Sequence, residues 1–202
     1  MSARTDSPVH FALIAIGTSL GGLRALRSVL SALPRNFPVP VAVVQHRTPD
    51  AGDPLQLVLQ ELCALKVLEV EDKAMIESGY VYLAPPNYHL LVEGDHFTLS
   101  TEDAELYARP SINALLQTAA EAYGPRVVGV ILTGTGHDGA LGLAALRRAG
   151  GLAVVERPAT AEMAEMPQAA ADAAGNAIEL AVEDIGPFLA RLIALQINDE
   201  DR

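Results

Sequence analysis

Tryptophan is missing from this sequence, and five tyrosines and four phenylalanines are all the aromatic residues in 202 positions. So few rings exclude the stacking platforms on which single-stranded nucleic acids are bound. A lone cysteine, Cys63, excludes an internal disulfide, and its place in the helix-patterned run LQLVLQELCAL points to a buried structural thiol rather than a nucleophile. No stretch approaches the ~18 uninterrupted apolar residues of a membrane span, and the opening MSARTDSPVH lacks the basic start, apolar run and cleavage site of a secretory leader. The chain is therefore expected in the cytoplasm, without membrane insertion. Positive charge is scarce as well. With 14 Lys plus Arg against 25 Asp plus Glu the net charge is −11, which repels phosphate backbones and argues against a nucleic-acid partner.

Half of the residues are hydrophobic, enough for one sizeable core in a chain of single-domain length. Short apolar runs alternate with longer helix-patterned ones, as in βαβ units. FALIAIG (11–17), PVAVVQH (40–46), KVLEVE (66–71), RVVGVILT (126–133) and GLAVVE (151–156) read as strands, with a weaker one at AIELAV. Helices are expected after Gly21, over 54–64, from Pro110 to about Tyr123, over GALGLAALRRAG, and in MPQAAADAAG and DIGPFLARLIALQ. The run YVYLAPPNYHLLVEGDHFTLS (80–100) alternates with period two around an EGDH turn, which suggests an antiparallel hairpin at a sheet edge, kept from the centre by Pro85 and Pro86. The fold class is α/β: a three-layer, doubly wound, mostly parallel sheet with an inserted hairpin near residues 80–100. Residues 11–197 form the expected catalytic domain, between tails at 1–10 and 198–202.

In such sheets ligands sit outside the carboxyl ends of the strands. The first strand ends in Gly17-Thr18-Ser19-Leu20-Gly21-Gly22, a G-x-S-x-G turn that can present Ser19 at a tight strand-to-helix elbow. A serine hydroxyl needs a base within hydrogen-bond reach and a group to orient that base. His46 ends the second strand, and Asp138 follows the central strand in Gly134-Thr135-Gly136-His137-Asp138-Gly139, so all three fall on one rim. Their order, Ser, His, Asp, differs from the Ser, Asp, His of the α/β-hydrolase fold. Other readings stay open here: Ser19 and Asp138 as helix caps, or His137 as the base with an acid from 95–105.

Gly134, Gly136 and Gly139 also satisfy G-x-G-x-x-G, with Glu156 about 20 residues on, where a dinucleotide site places its ribose acid. Against this, Asp138 would set a carboxylate beside the pyrophosphate at a helix N-terminus. His10, His89 and His96 read as solvated or strand-edge residues. A metal cluster of His46, His89 and His137 would lack any short ligand spacing. No cofactor and no metal are expected.

Five segments taken in order, IAIGTSLGGLRAL (14–26), VAVVQH (41–46), VYLAPPNYHLLV (81–92), RPSINAL (109–115) and VGVILTGTGHDGALGLAALRRAGG (128–151), resemble the catalytic domain of bacterial chemoreceptor protein-glutamate methylesterases (CheB-type). The resemblance implies a nucleophile at Ser19, a base at His46 and an acid at Asp138, with backbone amides near Leu20 and Thr135 stabilising an oxyanion. It implies hydrolysis of glutamate γ-methyl esters on receptor helices with release of methanol, and a related glutamine deamidation. The partners it implies are a methylated chemoreceptor or chemoreceptor-like protein and a separate response-regulator receiver, since residues 1–10 are too few to form one. A non-catalytic signalling module on the same fold is the other reading. Three departures stand out: Leu20 where the family usually has Thr, His137 for the usual Asn or Asp, and a segment 156–170 that keeps only Met-Pro. Asp138→Asn is expected to spare the helix cap while disabling the imidazole.

Overall fold

The structure is a computed structural model that describes residues 10–47 and 55–200. The expected N-terminal tail, except His10, and the last two residues of the expected C-terminal tail lie outside the described residues. Seven strands form the main sheet: β1 (Leu13–Thr18), β2 (Val41–Gln45), β3 (Lys66–Glu69), β4 (Tyr80–Leu83), β7 (Val127–Ile131), β8 (Leu152–Glu156) and β9 (Ile178–Leu180). Their order is β3-β4-β2-β1-β7-β8-β9, and every pairing is parallel.

A parallel sheet is covered on both faces, so its strands read as continuous apolar runs. Along β1, Ile14 and Ile16 face one core while Leu13 and Ala15 face the other. The first core is closed by α1 (Gly22–Leu30), α2 (Leu55–Leu62) and α6 (Val182–Glu200), through side chains such as Leu26, Val29, Leu59, Ile185 and Leu189. Cys63 belongs to this core, where burial pushes its thiol pKa up. The second core is closed by α3 (Ile112–Tyr123), α4 (Ala140–Arg148) and α5 (Glu165–Ala174), through Leu115, Leu116, Leu143, Leu146 and Met166. At about 1.5–3 kcal/mol for each large aliphatic group removed from water, these two layers dominate the favourable side of folding. No described helix is long and apolar enough to cross a membrane.

The inserted hairpin is β5 (His89–Glu93) and β6 (His96–Ser100), a separate two-stranded antiparallel sheet turning at Gly94-Asp95. It lies against α3, with the Val92 N–H donating to Thr118 Oγ1 at 3.1 Å. The preceding YVYL, grouped with the hairpin by its alternation, is instead β4, paired on both sides within the main sheet. Pro85 and Pro86 follow that strand rather than interrupt it, so they end it without removing a rung. Helix α3 also begins later than expected: Ser111 is its N-cap, accepting from Ala114 N at 3.2 Å, and Pro110 stands just outside.

Candidate active site

The chain leaves β1 for β2 on one side, and β7 lies on the other, so the carboxyl ends of three adjacent strands converge at the switch in winding direction. The β1–α1 connection is a sharp elbow. Ser19 N–H donates to Thr133 O at 3.0 Å, Gly22 N–H returns to Ser19 O at 2.9 Å, and Gly21 takes the left-handed conformation at φ 81°. Thr133, just beyond β7, steadies the far side: its carbonyl also accepts from Thr18 Oγ1 at 2.9 Å and its hydroxyl donates to Leu20 O at 3.1 Å. Ser19 is left half-buried, and its hydroxyl has no hydrogen-bond partner among the described residues.

His46 lies just beyond β2, its N–H bonded to Thr18 O at 3.0 Å. Its Nε2 meets Asp138 Oδ2 at 2.8 Å. Asp138 is 3% exposed, and its carboxylate accepts from the backbone N–H groups of Ile112 at 2.7 Å, Asn113 at 3.0 Å and Gly139 at 2.9 Å. Ser111 Oγ lies 3.2 Å from Asp138 Oδ1 and 2.8 Å from Glu105 Oε2, so its single proton serves one carboxylate at a time. Burial pushes the Asp138 carboxyl up, but the hydrogen bonds from His46, Ile112 and Asn113 outweigh it and hold the pKa below the ordinary value. The group is an ionised acceptor.

Asp138 is therefore a helix cap, but of the neighbouring helix. It satisfies the first amides of α3, while α4, which it precedes in sequence, has as its N-cap Gly139, a residue with no capping side chain. The first turn of α4 is capped in return from α3: Asn113 Oδ1 accepts from Gly139 N at 3.0 Å and Gly142 N at 2.8 Å. This reciprocal arrangement corrects the expectation that Asn would replace Asp138 without structural cost. Both oxygens accept from N–H donors, and an amide NH2 at either place would face one of them.

His137 is exposed and its imidazole makes no hydrogen bond among the described residues; the acid beside it is committed to His46. His89 is spoken for too: its Nδ1 accepts from Ser111 N at 3.2 Å and its Nε2 reaches Asp103 O at 3.1 Å. His46 and His89 meet only through Ser111 and Asp138, His137 stands apart, and the described residues contain no group of three metal-binding side chains. The three glycine amides of the second glycine turn are occupied as well, Gly134 N by Met163 O, Gly136 N by Glu165 Oε2 and Gly139 N by Asn113 and Asp138. Glu156 is buried and accepts from Thr133 N at 2.8 Å, turned inward rather than towards a ribose.

Ser19, Thr135, His46 and Asp138 line a cavity of about 680 Å³, walled by Leu106, Tyr107 and Arg109. Ser19 and His46 also line a second cleft of about 700 Å³ on the α1–α2 side, with Leu20, Leu23 and Leu55. The N–H groups of Leu20 and Thr135 donate to no acceptor among the described residues, and both residues are exposed. Chemically, this is a hydroxyl on a rigid elbow, an imidazole held by a buried carboxylate, and an open space for a side chain between them. Sequence reasoning did not single out Ser111, Asn113 or Glu105; the one signal was the S-x-N at the start of α3, which looks like an ordinary cap.

Comparison with known proteins gives the chain a family. The family model described as CheB methylesterase matches residues 14–189. A putative protein-glutamate methylesterase/protein-glutamine glutaminase of Leptospira interrogans is 43% identical over 185 residues, covering 91% of this chain and 96% of the relative. A protein-glutamate methylesterase/protein-glutamine glutaminase of Moorella thermoacetica is 41% identical over 187 residues, 90% of this chain but 44% of that longer protein. The crystal structure of the Thermotoga maritima CheB methylesterase catalytic domain superposes with a TM-score of 0.87 at 33% identity, over 91% of this chain and 100% of that one. The chain belongs to the CheB methylesterase family.

Proposed function

We propose that this chain is a serine hydrolase that demethylates glutamate γ-methyl esters on the cytoplasmic helices of a chemoreceptor or chemoreceptor-like protein, and that the same site deamidates glutamine. The observation that carries the reading is the 2.8 Å contact between His46 Nε2 and Asp138 Oδ2 beside the Ser19 elbow. With Nε2 on Asp138, the imidazole keeps its proton there and offers the Nδ1 lone pair to Ser19. Ser19 Oγ attacks the ester carbonyl as its proton passes to Nδ1, and Asp138 stabilises the imidazolium. In this reading the N–H groups of Leu20 and Thr135 receive the negative oxygen of the tetrahedral intermediate. Collapse breaks the bond to the methoxy group, which leaves as methanol with the proton from Nδ1. Water, activated by the same nitrogen, then hydrolyses the acyl-serine to glutamate. For a glutamine side chain the leaving group is ammonia.

In this reading residues 11–197 are the catalytic domain, the receptor helix is the substrate, the enzyme works in the cytoplasm, and a receiver on a separate chain is the regulatory partner. The test is intact-mass analysis of a methylated receptor fragment incubated with the wild-type chain and with Ser19→Ala. Stepwise loss of methyl groups with the wild type alone supports the reading; an unchanged mass with both removes the proposed substrate.

A further inference from the structure

Gln45, the last residue of β2, bridges the backbones of Ser19 and His46. Its Nε2 donates to Ser19 O at 2.8 Å and to His46 O at 2.9 Å. An amide nitrogen has two protons, and here each goes to one carbonyl; the reversed amide would set oxygen against oxygen, so the orientation is fixed. Its Oε1 is buried without a partner, over the α-carbon of Gly22, where any side chain would collide with it. An unpaired buried acceptor is destabilising. Stability alone is a poor reason to keep such a group.

Geometry supplies a better one. The backbone ladder between β1 and β2 ends with His46 N to Thr18 O. Past that rung, the Gln45 amide is the hydrogen-bonded link between the backbones of Ser19 and His46 among the described residues. We infer that Gln45 is a positioning residue, whose amide sets the separation of the Ser19 hydroxyl from the His46 imidazole, and that Gly22 is glycine in part to admit it. The inference rests on the hydrolase reading above. Misplacement of a reacting group by about 1 Å costs up to ~10²-fold in rate, so a slack clamp is expected to show in the chemical step.

The experiment follows the labelling of Ser19 by a fluorophosphonate probe in the intact chain, for the wild type, Gln45→Met and Gln45→Glu. Methionine keeps the length but has no donor, and a carboxylate would oppose both carbonyls. The labelling rate constant is expected to fall about 10-fold or more in Gln45→Met and further in Gln45→Glu. The final labelled fraction should stay near that of the wild type. For a small ester such as phenyl acetate, kcat should fall with KM within about twofold. The rate constant belongs to folded molecules only, so a partly unfolded variant still reports. A Gln45→Met rate within about twofold of the wild type, or a loss confined to the labelled fraction, overturns the inference and leaves the hydrolase reading standing. A wild-type chain that does not label removes both.

Discussion

Asp138 holds His46 by Nε2 at 2.8 Å, so the ring nitrogen left for the proposed nucleophile Ser19 is Nδ1, the one nearer the backbone. In the familiar serine-protease arrangement the acid takes Nδ1 and the serine faces Nε2. Here the shorter reach of Nδ1 requires the elbow to come close to the end of β2. The parallel pairing of β1 with β2, in register from Ile14 with Val41 to Thr18 with Gln45, brings it there.

Ser19→Ala should fold with a melting temperature within a few degrees of the wild type, because a half-buried hydroxyl without partners contributes little to packing. Fluorophosphonate labelling and ester hydrolysis should both vanish. Activity retained in the folded variant would take Ser19 out of the mechanism.

Asp138→Asn and His137→Asn are neighbours with opposite expectations. The first should slow labelling by roughly 10³- to 10⁴-fold, since the amide favours the wrong imidazole tautomer. It should also lower stability by about 1–3 kcal/mol through a donor–donor conflict at the start of α3. His137→Asn, at an exposed position, should change both by little. Labelling rates and melting curves of the two variants decide it; a dead His137→Asn beside a working Asp138→Asn would reverse the assignment.

Asn113→Ala tests the reciprocal caps. It strands the N–H of Gly142 and weakens the hold on Gly139, for a cost of roughly 1–3 kcal/mol, or about 2–4 °C per kcal/mol in a chain of this size. The loop carrying Asp138 is thereby loosened, so labelling should slow as well. An unchanged melting temperature would show that water or a neighbour replaces the cap.

Glu156 offers a prediction with a definite sign in pH. Burial pushes its carboxyl pKa up, the Thr133 N–H bond only partly offsets this, and the carboxylates of Glu183 and Glu162 add to the rise. A pKa raised on folding gives a stability contribution that is full below the ordinary glutamate value of about 4.3 and is lost as pH rises through the folded value. Glu156→Gln keeps an acceptor for Thr133 N and removes the buried charge. It should melt a few degrees above the wild type at neutral pH, with the gap closing as the pH falls towards about 4. Asp138 behaves in the opposite sense: its contribution is present above the ordinary aspartate range and lost as acid protonates the depressed carboxyl. Thermal melts across that pH range check the sign, and a gap that widens in acid would refute it.

What the sequence made legible was the rim. Ser19, His46 and Asp138 each follow an apolar run of strand length, and parallel strands put their carboxyl ends on one side whatever their order. The pairing of His46 with Asp138 rather than any use of His137 depends on which way two adjacent side chains point from a turn, and no periodicity encodes that. Tyr80–Leu83 was hidden for a related reason: four apolar residues look the same at the start of a hairpin as in a short parallel strand. Gln45 and Asn113 act on carbonyls and amides that are distant in sequence, so nothing local marks them.

The reciprocal capping of α3 and α4 gives the acid a second office. In the proposed mechanism Asp138 orients His46 while the first amides of α3 sit on its carboxylate, so a molecule in which α3 has lifted from the sheet is expected also to have its base disarmed. Local opening and inactivation become one event on the scale of hydrogen exchange. The protection of the Ile112 and Asn113 amides then counts the armed fraction of molecules, and a regulator that altered the seating of α3 would throttle the enzyme without touching the serine.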